Sequence, residues 1–301
     1  MSISLCQGFE GHDRFGFDEG ISRVTGGPGC EVFLITRYEK TVLIDCGMAF
    51  CAADTIENIR RVLGKRKLDC VFVTHSHYDH IGALPYILNA FPDAAVYGSE
   101  KCRYVFSREG ARKVISKLGS DARDLFTDDR EEIIVDGLRV DQVVSDMQRV
   151  DIGGGEIVCL ETKGHTDCCM SFVLEPDSIL FGSESTGVLQ GANEVCAEIL
   201  KSYSDSMESL RKCREYGAMH YVCPHFGLIP DDFQQEFFDK YLEFAGRELK
   251  LVKEWYAQGL DDDQVLEKYV EEYWSEERAS EQPMEAFLAN AVPMIKVLKE
   301  A

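Results

Sequence analysis

The 301-residue chain reads as an α/β core over residues 1–230 followed by a helical C-terminal extension over 231–301. Three observations predict this. Strand-like and helix-like periodicities alternate as far as about residue 230. From Asp231 onward only long helical patterns follow. Within the first part, the apolar run Asp69–Thr74 leads straight into His75-Ser76-His77-Tyr78-Asp79-His80. A strand that is apolar throughout belongs to a sheet covered on both faces.

Taken in order, Glu31–Thr36 and Thr41–Asp45 are β-rich runs joined by Arg37-Tyr38-Glu39-Lys40, which predicts a hairpin. Asp54–Leu63 has helical periodicity, with Asp54 as a candidate N-cap and Gly64 just past the end. A helix over Gly82–Phe91 and a strand over Ala94–Tyr97 come next, then helices from Ser99 to about Phe106 and over Gly110–Leu118. Strands are expected at Arg139–Val144, Glu156–Thr162, Met170–Leu174 and Ser178–Phe181. Gly153-Gly154-Gly155 lacks the GxGxxG spacing and a following helix, so it reads as a tight hairpin turn rather than a phosphate loop. Asp205–Tyr216 is helical, capped by Ser204 or Asp205, and Tyr221–Cys223 is a short strand that delivers Pro224-His225-Phe226-Gly227. Phe233–Gln258, Asp263–Trp274 and Pro283–Lys299 complete the chain as helices, broken at Gly259 and at Gln282-Pro283.

A formal net charge of −21 repels phosphate backbones. Neither nucleic acid nor an anionic membrane is therefore expected as a partner; a small-molecule substrate is. No apolar run is long enough for a membrane-spanning helix. The N-terminal residues have neither a basic nor an apolar leader pattern, which points to a cytoplasmic protein. Twelve cysteines are scattered without a CxxC pair, mostly in apolar runs. They read as reduced core residues. Cys168 and Cys169, close after His165, are placed in the core in preference to serving as soft metal ligands.

Residues 75–80 carry the chemistry. His75 and His77 are two apart on extended chain, so their side chains share a side. Asp79 and His80 follow where the chain turns into a helix. Three imidazoles and a carboxylate within six residues make a ligand set for zinc or non-haem iron. One cation suits His75 and His77 and a second suits Asp79 and His80, each needing further ligands. His165 and His225 both sit at strand ends, where open α/β sheets place their sites. His12 and His220 read as surface or core histidines. Tyr78 faces away from its neighbours, towards either a substrate cleft or the packing.

Thr74-His75-Ser76-His77-Tyr78-Asp79-His80 resembles the HxHxDH signature of the metallo-β-lactamase superfamily. Gly164-His165-Thr166 and Pro224-His225-Phe226-Gly227 are similar to its later histidine motifs. The resemblance covers about residues 30–230. It implies a metallo-β-lactamase-like αββα sandwich with a dinuclear site at one edge, and a helical cap formed by the extension. It assigns His75, His77 and His165 to one metal and Asp79, His80 and His225 to the other. The family's bridging aspartate is replaced here by Glu184, in Phe181-Gly182-Ser183-Glu184-Ser185. Glutamate reaches about 1.5 Å further. It either bridges the metals or hydrogen-bonds a ligand histidine from behind.

Two divalent metal ions are thus expected, zinc foremost, with iron or manganese compatible with the same ligands. The expected activity is metal-dependent hydrolysis of a small ester, thioester, lactone or phosphodiester by a metal-bridging hydroxide, with Asp79 as ligand and proton acceptor. The rival readings are a metal-retaining regulatory or ligand-binding protein, and an iron enzyme handling oxygen or sulfur. The aromatic stripe of the extension (Phe233, Phe237, Phe238, Tyr241, Phe244, then Trp255, Tyr256, Tyr269, Tyr273, Trp274) reads as helix packing or a homodimer face. Its sharper alternative is one or two rings lining a hydrophobic pocket.

Overall fold

The computed structural model describes residues 20–128, 130–190, 194–225, 227–229 and 233–301. Cys6, His12, Phe226 and the 230/231 boundary lie outside the described residues.

Two six-stranded sheets form the centre. The first comprises β1 (Ile21–Arg23), β2 (Phe33–Ile35), β3 (Val42–Ile44), β4 (Cys70–Phe72), β5 (Ala95–Gly98) and β6 (Gln142–Val143), in that order. β1–β3 form an antiparallel meander, and β3 to β6 are mutually parallel. Between these strands run α1 (Ala52–Leu63), the single turn α2 (Tyr78–Ile81), α3 (Leu84–Ala90), α4 (Glu100–Ser107) and α5 (Glu109–Phe126). The second sheet contains β7 (Arg149–Asp151), β8 (Glu156–Glu161), β9 (Met170–Glu175) and β10 (Ile179–Phe181). After the hairpin β11 (Val188–Gln190) and β12 (Glu194–Cys196) and the helix α6 (Tyr203–Tyr216), β13 (His220–Cys223) and β14 (Gly227–Ile229) complete it. β10 and β13 are parallel, and β8 runs the same way because it is antiparallel to β9, which is antiparallel to β10.

The period of two explains the layering. Phe33, Ile35, Val42, Ile44 and Phe72 face the second sheet, while Leu34, Leu43, Val71 and Val73 face Ile59, Leu63, Leu84 and Ile87 of α1 and α3. Across the sandwich Phe33 meets Phe181 at 5.6 Å and Phe72 meets Phe172 edge-on at 5.2 Å. Each fully buried ring contributes on the order of 2 kcal/mol through the water it sheds. This is the expected αββα sandwich, with a helical C-terminal region.

The Gly153–Gly155 stretch is the expected turn, between antiparallel β7 and β8. Several boundaries differ from expectation. α1 is preceded by a 3₁₀ turn over Ala49–Cys51, so Asp54 lies inside the first turn and no side chain caps the helix. Ser202, not Ser204 or Asp205, caps α6 by accepting the Asp205 N–H at 3.1 Å. The strand expected over 139–144 pairs only at Gln142–Val143, the last strand at the sheet edge.

Four helices follow: α7 (Gln234–Ala257), α8 (Asp262–Tyr273), α9 (Glu276–Glu281) and α10 (Met284–Glu300). Phe237, Phe238 and Tyr241 of α7 belong to the main core, with both phenylalanines about 5 Å from the Tyr221 ring. Val252, Val265, Tyr269, Phe287 and Leu298 build a separate cluster between α7, α8 and α10. Among the described residues no helix is long and apolar enough to cross a membrane. The eleven described cysteines are buried free thiols.

Candidate metal centre

Five strands, β3, β4, β8, β10 and β13, deliver their C-terminal ends to one edge of the sandwich. After β4 the chain stays extended through His77 (φ −74°, ψ 148°) and then coils into α2, so Asp79 and His80 project from a helical turn. His77 occupies the N-cap position of α2, and no side chain caps it. Gly164 (φ 134°) ends the β8 segment where any Cβ would lie 2.6 Å from the Ser206 backbone. Only glycine lets His165 swing inward there. Ser183 and Ser185 pin the turn that carries Glu184. The Ser183 N–H donates to Ser171 Oγ at 3.0 Å, and Ser185 Oγ accepts the His165 N–H at 3.0 Å.

The side chains converge on Glu184. Its Oε2 is 2.9 Å from His165 Nε2; its Oε1 is 2.8 Å from His80 Nε2 and 3.0 Å from His225 Nε2. His75 Nε2 stands 4.0 Å from Oε1, and His77 Nδ1 is 3.0 Å from His165 Nε2. Asp79 Oδ2 is 3.4 Å from His225 Nε2 and 3.6 Å from His80 Nε2. The donor atoms form two groups, His75, His77, His165 with Glu184, and Asp79, His80, His225 with Glu184. Within each, the atoms lie within 4.8 Å of one another. The structure therefore brings together all seven residues singled out in the sequence. His220 lies in β13, paired with Ile179.

The outward ring nitrogens fix the tautomers. His80 Nδ1 lies 2.9 Å from Asp45 Oδ2, and His165 Nδ1 lies 2.8 Å from the Glu198 carbonyl. A carboxylate or carbonyl only accepts, so both Nδ1 atoms carry hydrogen, which leaves each Nε2 as the nitrogen that would meet a cation. The Thr74 hydroxyl donates to Asp45 Oδ2 at 2.7 Å and so accepts from His75 Nδ1 at 3.1 Å. That leaves His75 Nε2 buried and without a hydrogen-bond partner.

The profile of the metallo-beta-lactamase superfamily matches residues 25–225, two thirds of the chain. The chain belongs to this superfamily. A curated relative, the metallo-beta-lactamase fold-containing protein of Sulfurisphaera tokodaii, is 27% identical over 212 residues, spanning 68% of this chain and 76% of that one. The atrochrysone carboxyl ACP thioesterase of Aspergillus fumigatus is 23% identical over 223 residues, 72% of this chain and 58% of the thioesterase. A metallo-beta-lactamase family protein of Thermus thermophilus superposes with a TM-score of 0.63 at 18% identity, covering 93% of both chains, and shows the same fold.

The superfamily binds divalent metals, and the residues here fit such ions. A buried imidazole lone pair without a partner (His75 Nε2) is costly unless a cation meets it. The electrostatics divide the imidazoles: burial disfavours charge on each, yet neighbouring acidic groups hold His80, His165 and His225 above the usual range, while His75 and His77 fall below it. Burial, aided by His80 and His77, holds the His75 imidazole far below its usual range, and burial with His165 lowers His77 to about 4. Both are neutral donors at pH 7. Burial opposes ionisation of Glu184 too, yet His165, His225 and His80 override it and keep the carboxylate charged. A third grouping, Cys30, Asp45 and His80, offers no comparable site, because His80 Nδ1 and Asp45 are spent on each other. Cys168 and Cys169 fall in none of these groups. Both thiols sit on Thr166 Oγ1, at 3.2 and 3.0 Å, as core residues.

Sequence reading missed Asp45 and Glu198. Asp45 ends β3 with φ 56°, a conformation that Asp tolerates better than most residues. Besides His80, it accepts the Thr74 N–H at 2.8 Å. Asp45→Asn should weaken metal binding about 10- to 100-fold while leaving the fold intact. Chelator competition read against circular dichroism checks this, and unchanged affinity would remove Asp45 from the account.

A cavity of about 650 Å³ opens over His77, Asp79, Glu184 and His225. Tyr78 lines it and also packs against the cluster of Met48, Cys51 and Ala122, so both readings of that ring apply. None of the ten aromatic rings of the extension is among its lining residues. Those rings pack helices. The extension reaches the cavity instead through Arg278, Gln282, Ala286, Ala289 and Asn290.

Proposed function

We propose that this chain is a two-metal hydrolase of a small ester, thioester, lactone or phosphodiester. One observation carries the reading: the two oxygens of a single buried carboxylate, Glu184, face two separate imidazole groups. His75, His77 and His165 would hold one cation, Asp79, His80 and His225 the other, with Glu184 between them. Zinc, iron and manganese all suit this set. When bound, such ions supply Lewis acidity and a water acidic enough to attack at neutral pH.

The remaining chemistry belongs to the chain. Asp79 borders the cavity and takes the proton of the attacking water. Asp45, Thr74 and the Glu198 carbonyl keep the imidazoles turned so that their lone pairs face inward. The cavity walls bind and orient the substrate and limit access of bulk water. The acidic surface disfavours nucleic acid as the substrate.

The test is a metal-reconstituted sample assayed on one substrate of each kind, beside His77→Ala. Turnover on at least one substrate, reduced about 100-fold or more in the variant, is expected. No turnover above the variant on any of them would sink the reading. A tight, unhydrolysed ligand in that case would favour a binding protein of the same fold.

A further inference from the structure

The cavity over the metal centre has two chemically different halves. Its floor is polar: His77, Asp79, Glu184 and His225. Above the floor, one wall is α5, which turns Ala111, Val114, Ile115 and Leu118 inward. These positions are i, i+3, i+4 and i+7, a single helical face. Ala286 and Ala289, one turn apart on α10, also line the cavity, as do Leu189 and Leu200. Val114 is 56% exposed, so α5 borders the mouth as well as the interior.

The charges on the walls are matched. Arg23 is ion-paired with Glu31, and Arg278 Nη1 lies 4.0 Å from Glu198 Oε1. Asn290 Nδ2 adds a contact to Glu198 Oε2 at 3.4 Å. Among the described lining residues these are the two cationic side chains. The walls thus present no unmatched cation to a phosphate group, whereas their apolar faces reward an apolar one. A volume near 650 Å³ lies within the usual range of small-ligand pockets and is larger than an acetyl group requires.

We infer that the substrate is an acyl ester or thioester whose neutral, apolar acyl arm lies between α5 and α10 with its carbonyl at the metal centre. This rests on the hydrolase reading above and narrows it. The water oxygen bonds to the acyl carbon and the C–O or C–S bond breaks. The proton taken by Asp79 passes to the leaving alkoxide or thiolate. The products are an alcohol or thiol and a carboxylic acid that releases its own proton. The small Ala286 and Ala289 leave the width between the helices, and Ile115 and Leu118 supply the surface.

The experiment uses the metal-loaded full chain and p-nitrophenyl esters from acetate to decanoate. Calorimetry of hexanoate and decanoate binding to the same protein runs in parallel. kcat/KM should rise about fourfold per added methylene until the cavity is filled. Ala289→Trp should move the optimum to shorter chains. Val114→Asp, at an exposed position that leaves folding alone, should flatten the rise. Acetate turned over as fast as the longer esters, with no change of profile in either variant, overturns the acyl-arm assignment and leaves the hydrolase reading standing. Chain-length-dependent binding of the carboxylates that Ala289→Trp weakens, without hydrolysis of any ester, supports the site for the apolar arm and overturns ester hydrolysis there. Neither binding nor hydrolysis overturns the acyl-arm assignment and confines the hydrolase reading to lactones and phosphodiesters.

Discussion

On the two-metal hydrolase proposal, Glu184→Gln should cost the protein at least one of its two metal ions per chain and lower hydrolysis about 100-fold or more. The side chain keeps its shape, so loss by unfolding is not expected. What changes is the donor chemistry. Both carboxylate oxygens are engaged, Oε2 with His165 and Oε1 with His80 and His225. An amide can present one oxygen to one side only, and it places N–H donors against the other. The shorter Glu184→Asp is the informative companion. It restores the family's usual bridging residue on a backbone position built for an arm about 1.5 Å longer. It should retain charge but hold metal less tightly than wild type, because Ser183 and Ser185 fix the turn and prevent the backbone from following. Elemental analysis of chelator-free preparations measures both variants. Two ions per chain in Glu184→Gln would mean that the carboxylate only steadies the histidines.

Most of the centre was legible because its signals are local. His75, His77, Asp79 and His80 fall within six residues, and the strand before them is apolar without interruption. His165, Glu184 and His225 each follow a strand, and the αββα plan makes those strand ends meet. Asp45 was illegible for the opposite reason. Its strand end was visible, but its contact with Thr74 and His80 exists only because β3 pairs in parallel with β4, with Ile44 opposite Phe72. Glu198 contributes through a backbone carbonyl, which no side-chain pattern reports. The ring stripe of the extension misleads in a similar way. Periodicity shows that a helix has an apolar face, but not what covers it. Here α7 lays Phe237 and Tyr241 on Gly187, three residues beyond Glu184, where a Cβ would stand 2.9 Å from the Tyr241 ring. The extension thus supports the turn that carries Glu184 with its aromatic residues and lines the cavity with its alanines.

That arrangement carries a second large effect, this time on stability. Glu248 of α7 is fully buried, and burial, reinforced by the negative charge of Glu198, pushes its carboxyl up to about 8. The Tyr269 hydroxyl donates to Oε1, while Oε2 has no hydrogen-bond partner. The folded state therefore holds the proton more firmly than the unfolded chain, whose carboxyl titrates near 4.5. The stability tied to this proton is fully present below about pH 4.5, falls as pH rises, and is lost once pH passes about 8. The full difference is at most about 5 kcal/mol. Glu248→Gln keeps an acceptor for Tyr269 and removes the titration. It should match wild type near pH 4.5 and unfold on the order of 5–10 °C higher at pH 9, a conversion of about 2 °C per kcal/mol for a chain of this size. Thermal melts of both proteins across that range measure the gap, and a gap independent of pH would show that Glu248 is ionised in the fold.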